Sequence, residues 1–139
     1  MNTTKIPAPV LGLTDMTKLN KLSLQMAREQ QCQFQSMLGA IRQRNQALPT
    51  GTPRRLYATM MQRQLRELLT LTQAYRDGTF EIIMEVQAAA NNCLSMPWEA
   101  REAGLRMLHE IEKEAQLNLQ EEIKLCLAIE TLRDELLTA

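Results

Sequence analysis

Apolar residues recur at intervals of three and four along most of the chain, which is the spacing of an amphipathic helix. In the first such stretch, Thr14 or Asp15 can accept hydrogen bonds from the free N–H groups of a first helical turn. Pro49 then disfavours helical geometry at the residue before it. The pattern predicts a first helix over about residues 15–47, with this apolar stripe: Leu19, Leu22, Met26, Phe34, Met37, Ile41 and Leu48.

Residues 1–13 contain three helix-breaking residues in quick succession, Pro7, Pro9 and Gly12. They predict an irregular leader before the first helix. The rest of the chain, residues 14–139, has the usual size of one domain. We therefore expect a leader followed by a single helical bundle domain.

A second stripe starts after Thr52-Pro53, where the hydroxyl can cap a helix and proline suits the first helical position. Gly78 interrupts this stripe, and glycine inside a helix costs about 1 kcal/mol relative to alanine. One continuous helix over 53–93 or two helices meeting at Gly78 both fit, and the step of about 3.6 residues favours continuity. The stripe positions are Tyr57, Met61, Leu65, Leu68, Thr72, Tyr75, Ile82, Val86, Ala90 and Cys93.

A third stripe follows Pro97, which again stands where a helix can begin. From Leu108 to Leu136 it covers 28 residues in eight steps, the 3.5-residue mean of a coiled-coil seam. It predicts a helix over about residues 97–137. Its positions are Leu105, Leu108, Ile111, Ala115, Leu119, Ile123, Cys126, Ile129, Leu132 and Leu136.

The connections at 48–52 and 94–96 are short, so consecutive helices should run antiparallel. Helices of these lengths rise about 1.5 Å per residue and would be roughly 50–60 Å long. We therefore expect an all-α fold, an elongated antiparallel bundle of three long helices, or four if the chain breaks at Gly78. Three helices leave apolar edges that a second copy can cover, so we also expect a homodimer.

Composition supports helix and adds a charge asymmetry. Hydrophobic residues make up 45% of the chain and aromatic residues only 4%, which argues against a β-sandwich or barrel. Residues 1–76 hold eleven Lys or Arg against three Asp or Glu, and residues 77–139 hold five against thirteen, so the halves carry +8 and −8. The two halves can pack against each other, or they can form interaction surfaces. Nucleic-acid binding is not expected, because no Lys/Arg-rich run, zinc knuckle or interleaved aromatic accompanies the basic residues.

The chain has three cysteines, Cys32, Cys93 and Cys126, and no C-x-x-C pair. This spacing suggests a reducing compartment, and no signal peptide or run of eighteen apolar residues occurs, so we expect a cytoplasmic protein without a transmembrane segment. A specialised secretion address at the N-terminus would escape this argument.

Catalytic and metal-binding patterns are missing from the sequence. His109 is the only histidine, and Arg106 stands where the Glu-x-x-His motif of a di-iron bundle needs a glutamate. The glutamates from Glu110 to Glu122 have no organising loop for a cation and should form a solvated helix face. We expect no enzymatic activity, no cofactor, no metal and no small-molecule substrate.

The apolar stripes are the candidate interaction residues, either as bundle core or as an adaptable groove for a protein partner. Trp98 can close the end of the bundle or anchor a partner. The first two helices contribute Leu22, Met26, Phe34, Met37, Met61, Leu65, Leu68 and Tyr75. The third helix contributes Leu119, Cys126, Ile129 and Leu136.

Residues 16–93 carry a family resemblance. The run Leu-Asn-Lys-Leu-Ser-Leu-Gln-Met at 19–26, a proline-containing break, and the segment from Pro53 to Tyr75 resemble the helix–break–helix layout of phasins. Phasins coat polyhydroxyalkanoate granules in bacteria by laying amphipathic helices on the polymer, so the resemblance implies a granule coat that self-associates. The acidic third helix departs from that layout. The residues themselves favour a non-enzymatic helical interaction protein, such as a small adaptor, chaperone or inhibitor, and the phasin-like coat is the alternative.

Overall fold

The structure, a computed structural model, describes residues 8–138 and consists there of three α-helices without a strand. These are α1 (Ala8–Gln46), α2 (Arg54–Cys93) and α3 (Trp98–Thr138). The predicted all-α class is confirmed, and the predicted helix ends agree to within one residue everywhere except at the start of α1. α2 runs through Gly78 without a break, so the alternative with four helices is wrong.

The irregular leader predicted over residues 1–13 is wrong for its second half, because α1 already begins at Ala8. Residues 1–7 lie outside the described residues. Pro9 belongs to the first helical turn. Backbone N–H groups in this turn have no acceptor within the helix, so the missing N–H of proline removes no hydrogen bond. Leu13, one turn further on, is buried, and this burial offsets the cost of glycine at position 12.

The two connections are short turns, as predicted. Gly51 has φ = 91°, a backbone conformation that glycine adopts without strain, and the N–H of Thr52 donates to the carbonyl of Pro49 at 3.1 Å. Before α3, the N–H of Met96 donates to the carbonyl of Cys93 at 3.1 Å. The carbonyl of Pro97 accepts the N–H of Arg101 at 2.9 Å and so takes part in the first turn of α3.

The described residues separate into two compact units, each with its own core. The first unit combines the described chain up to Met26 with Gly78–Leu119. In it the side-chain amide of Gln87 on α2 donates to Glu112 on α3 at 3.2 Å, and Leu13 on α1 lies against Gly104 on α3. Its buried apolar residues are Leu13, Leu24, Ile83, Val86, Cys93, Leu108, Ile111 and Ala115.

The second unit combines Ala27–Asp77 with the described chain from Gln120 onward. The Phe34 and Tyr75 rings meet edge to face with centroids 5.9 Å apart, and the Tyr57 hydroxyl donates to the Ile41 carbonyl at 3.4 Å. These contacts pair later α1 residues with earlier α2 residues and confirm that the two helices run antiparallel. The buried apolar residues are Phe34, Leu38, Ile41, Met61, Leu65, Leu68, Leu69, Leu125, Cys126, Ile129, Leu132 and Leu136.

The prediction of a single domain over residues 14–139 stays a prediction.

Two of the predicted apolar stripes, those of α1 and α3, need correction. On α3 the buried positions between Ala115 and Leu125 are Asn118 and Glu122, whereas Leu119 is half-buried and Ile123 is exposed. Glu122 therefore does not belong to the solvated glutamate face. The seam keeps its 3.5-residue step through these polar residues, which a search for apolar positions passes over.

Candidate interaction surfaces

The predicted site residues fall into three groups. Seven of them are buried in the core of the second unit: Phe34, Met61, Leu65, Leu68, Cys126, Ile129 and Leu136. Tyr75 is half-buried against that core, and Leu119 is half-buried against the core of the first unit. Leu22, Met26 and Met37 are exposed and belong to neither core. The predicted single face that joined them to Phe34 and Ile41 is therefore wrong.

The first-unit part of α1 has large apolar side chains on both its inner and its outer side. Leu19, Leu22 and Met26 are 65%, 55% and 55% exposed. Thr17 and Asn20, only 7% exposed each, point inward with Leu24. At 100° per residue these two sets lie on nearly opposite sides of the helix. We call the exposed set Leu19, Leu22 and Met26 the α1 outer face.

The inner side of this α1 segment combines buried leucines with buried polar residues. Within the described residues, the hydroxyl of Thr17 and the amide nitrogen of Asn20 are buried without a hydrogen-bond partner. Asn118 differs, because its amide nitrogen donates to the Leu24 carbonyl at 3.0 Å. An unpartnered buried polar group costs about 1–3 kcal/mol. Two of the inward positions between Leu13 and Leu24 therefore reduce the stability that the packing of α1 gives to the first unit.

Basic residues flank the α1 outer face on one side. Lys21 lies 3.9 Å from Glu110, so this flank of α1, which Lys18 shares, faces α3. We call Lys18 and Lys21 the lysine row. Both side chains are exposed.

The second unit has a separate groove of about 510 Å³ between the start of α2 and the end of α3. Two guanidinium groups, of Arg54 and Arg55, stand beside the apolar side chains of Leu136 and Leu137. Such a combination suits a carboxylate carried on an apolar chain. It brings together no nucleophile and base that would indicate a reaction.

Two of the three thiols are buried. Burial raises the pKa of the Cys93 thiol and of the Cys126 thiol, although Arg76 acts in the opposite direction on Cys126. Cys32 is exposed on α1. In the part of the chain that the structure describes, no three His, Cys, Asp or Glu side chains form a group that could hold a metal ion.

Trp98 does not close the end of the bundle, because it is 66% exposed. The guanidinium of Arg101 lies 6.0 Å from the centre of its ring and donates to the Met96 carbonyl at 3.2 Å. The Arg101 guanidinium thus makes a cation–π contact with one face of the Trp98 ring, and most of the indole is exposed to solvent.

The residues that flank the α1 outer face were not among the predicted site residues. Leu13, Thr17, Asn20 and Leu24 follow each other at heptad spacing. If the two polar residues are counted as buried positions, this spacing places Leu19 and Leu22 on the outside.

Of the helices described, none combines the length and hydrophobicity needed to cross a membrane. Comparisons of this chain with protein-family models, curated proteins and solved structures found no match.

Proposed function

We propose that the protein is a non-enzymatic helical interaction protein, of the adaptor, chaperone or inhibitor kind, that binds a protein partner through the α1 outer face. The observation that carries this proposal is the exposure of three large apolar side chains on an α1 segment whose inner side buries two polar residues. Leu19, Leu22 and Met26 stand in solvent, while Thr17 and Asn20 occupy the core. A partner that covers the outer face would give this segment the apolar burial that its own unit does not supply.

The shape and charge of the surface favour a helix as the partner. The α1 outer face is a ridge of side chains at positions i, i+3 and i+7, which is how one helix presents anchors to another. The lysine row borders it on one side, so an amphipathic helix with an acidic flank fits over it. A small molecule would find no enclosed volume on this ridge.

The test is affinity capture of the tagged protein from its native cell lysate, at low and high salt, with two matched variants. Leu22→Glu places a charge in the centre of the α1 outer face, and Leu127→Glu places one at an equally exposed leucine of α3 in the second unit. We expect a stoichiometric protein that the wild type and Leu127→Glu retain and Leu22→Glu loses. Equal retention by all three would contradict the proposal.

The phasin-like alternative rests on the exposed apolar residues that each helix carries, among them Met84 on α2 and Leu127 on α3. A coat protein would use these outer faces together to lie on an apolar polymer. It should bind polyhydroxyalkanoate particles as strongly at high salt as at low salt, and Leu127→Glu should weaken that binding as much as Leu22→Glu does. Failure to sediment with such particles would eliminate this alternative.

A further inference from the structure

We propose that the groove between the start of α2 and the end of α3 binds a medium-chain fatty acid as its carboxylate. The groove belongs to the second unit, so it does not involve the α1 outer face and goes beyond the proposed function. Its two walls differ in chemistry. α2 supplies the guanidinium groups of Arg54 and Arg55, and α3 supplies the side chains of Leu136 and Leu137. A ligand that suits both walls is an anion with an apolar chain.

The basic wall has no carboxylate of its own. No Asp or Glu lines the groove, and the first turn of α2, at the positive end of the helix dipole, holds no acidic residue. Within the described residues, the side chains of Arg54 and Arg55 take part in no ion pair or hydrogen bond. Arg63, further along the same helix, instead lies 3.6 Å from Glu67. Two guanidiniums on one groove are therefore available to an anionic ligand.

The apolar wall selects the kind of anion. Leu136 is buried and Leu137 is 60% exposed, and Ala58 adds a half-buried methyl group from α2. An alkyl chain over these side chains would remove apolar surface from water, whereas phosphate or sulfate would leave that surface hydrated. The Thr59 hydroxyl already donates to the Arg55 carbonyl at 2.9 Å, so its proton is used within the helix.

The size of the groove indicates a chain of medium length. Its volume of about 510 Å³ lies in the usual range of small-molecule sites. On α2 the lining residues extend from Arg54 to Gln62, which is about 12 Å along the helix axis. An extended octanoate has a similar length. With its carboxylate at the arginines, its chain passes Ala58 and Leu137 and reaches the level of Gln62.

The test is a titration of the full chain with sodium octanoate at low salt, followed by two-dimensional NMR of backbone amides and leucine methyl groups. Both guanidiniums are exposed to solvent, so we expect saturable binding in the millimolar range. The signals of Arg54, Arg55 and Leu137 should shift, and those of the α1 outer face should not. Acetate, which lacks the chain, and octanol, which lacks the charge, should each bind at least about tenfold more weakly.

Matched variants test the two walls separately. Arg55→Gln should raise the Kd for octanoate about fivefold, and Arg63→Gln, the same substitution in the same helix, should leave it unchanged. Leu137→Gln should also weaken binding, whereas Leu127→Gln, at a leucine of α3 that is 58% exposed, should not. All four side chains are exposed, so the helical circular dichroism spectrum should stay the same.

Three outcomes would overturn the proposal. The first is an unchanged octanoate affinity in Arg55→Gln. The second is octanol binding as strongly as octanoate, with shifts spread over exposed apolar residues of both units. The third concerns a short peptide that ends in Leu-Leu with a free carboxylate: if it binds the groove and octanoate does not, the occupant is the C-terminus of a protein.

The proposed function and this proposal can fail independently. Leu22→Glu changes the α1 outer face and should bind octanoate like the wild type, even where it loses a captured protein. Arg55→Gln should retain that protein and bind octanoate more weakly. Loss of both properties in either variant would contradict the assignment of two distinct sites.

Discussion

The two parts of α1 use the same helix in opposite ways. In the second unit, Phe34, Leu38 and Ile41 are buried and the solvent side carries mainly polar and small residues, such as Cys32 and Ser36. In the first unit Leu13 and Leu24 are buried together with Thr17 and Asn20, while the α1 outer face stays exposed. One helix therefore buries its large apolar residues along one stretch and leaves several of them exposed along another.

The largest expected effect separates buried from exposed apolar residues on α1. Phe34→Ala removes a ring that is buried and packed against Tyr75, so it should lower the free energy of unfolding by about 3–5 kcal/mol. Leu22→Ala removes an exposed side chain and should change it by less than about 0.5 kcal/mol. Denaturant unfolding at concentrations where the chain is monomeric measures both. A large loss for Leu22→Ala would mean that the outer face is already covered within one chain.

A smaller effect compares two buried threonines, one in each unit. The Thr17 hydroxyl has no hydrogen-bond partner in the described structure, so Thr17→Val should raise the free energy of unfolding by about 1 kcal/mol. The Thr72 hydroxyl donates to the Leu68 carbonyl at 2.8 Å, so Thr72→Val gives up that bond and should be neutral or slightly destabilising. Thermal and denaturant unfolding of the pair check this difference. Equal responses would remove the contrast between the two inner faces.

The smallest effect is a dependence on alkaline pH. Burial raises the pKa of Cys93 in the first unit and of Cys126 in the second, so the folded state keeps these protons longer than the unfolded state. Their contribution is fully present below about pH 8.5 and should be lost as pH rises through the folded-state pKa. Denaturant unfolding from pH 7 to 10 should give a shallower decline for Cys93→Ala and for Cys126→Ala than for the wild type. Unchanged slopes would mean that neither thiol is shielded from water.

The ends of the helices could be predicted because they depend on neighbouring residues. Pro49, Gly51 and Pro97 act on the backbone within a few residues of themselves, and the short turns they form leave little choice of direction for the next helix. The start of α1 was predicted wrongly for the opposite reason. Pro9 breaks a helix only beyond its first turn, and whether it falls in that turn depends on where tertiary contacts let the helix begin.

The amino-acid sequence by itself determined the number of helices and their type. It also determined the seam of α3 around Leu108 and Ile129, because the apolar residues there lie on a single face of the helix. Only the tertiary structure decided which side of α1 lies inward near Asn20 and Leu22. That stretch can form a helix with either side inward. Which side is buried depends on how α1 packs against α2 and α3, and not on α1 alone. The same shared packing leaves an apolar face open, and the candidate site exists for that reason.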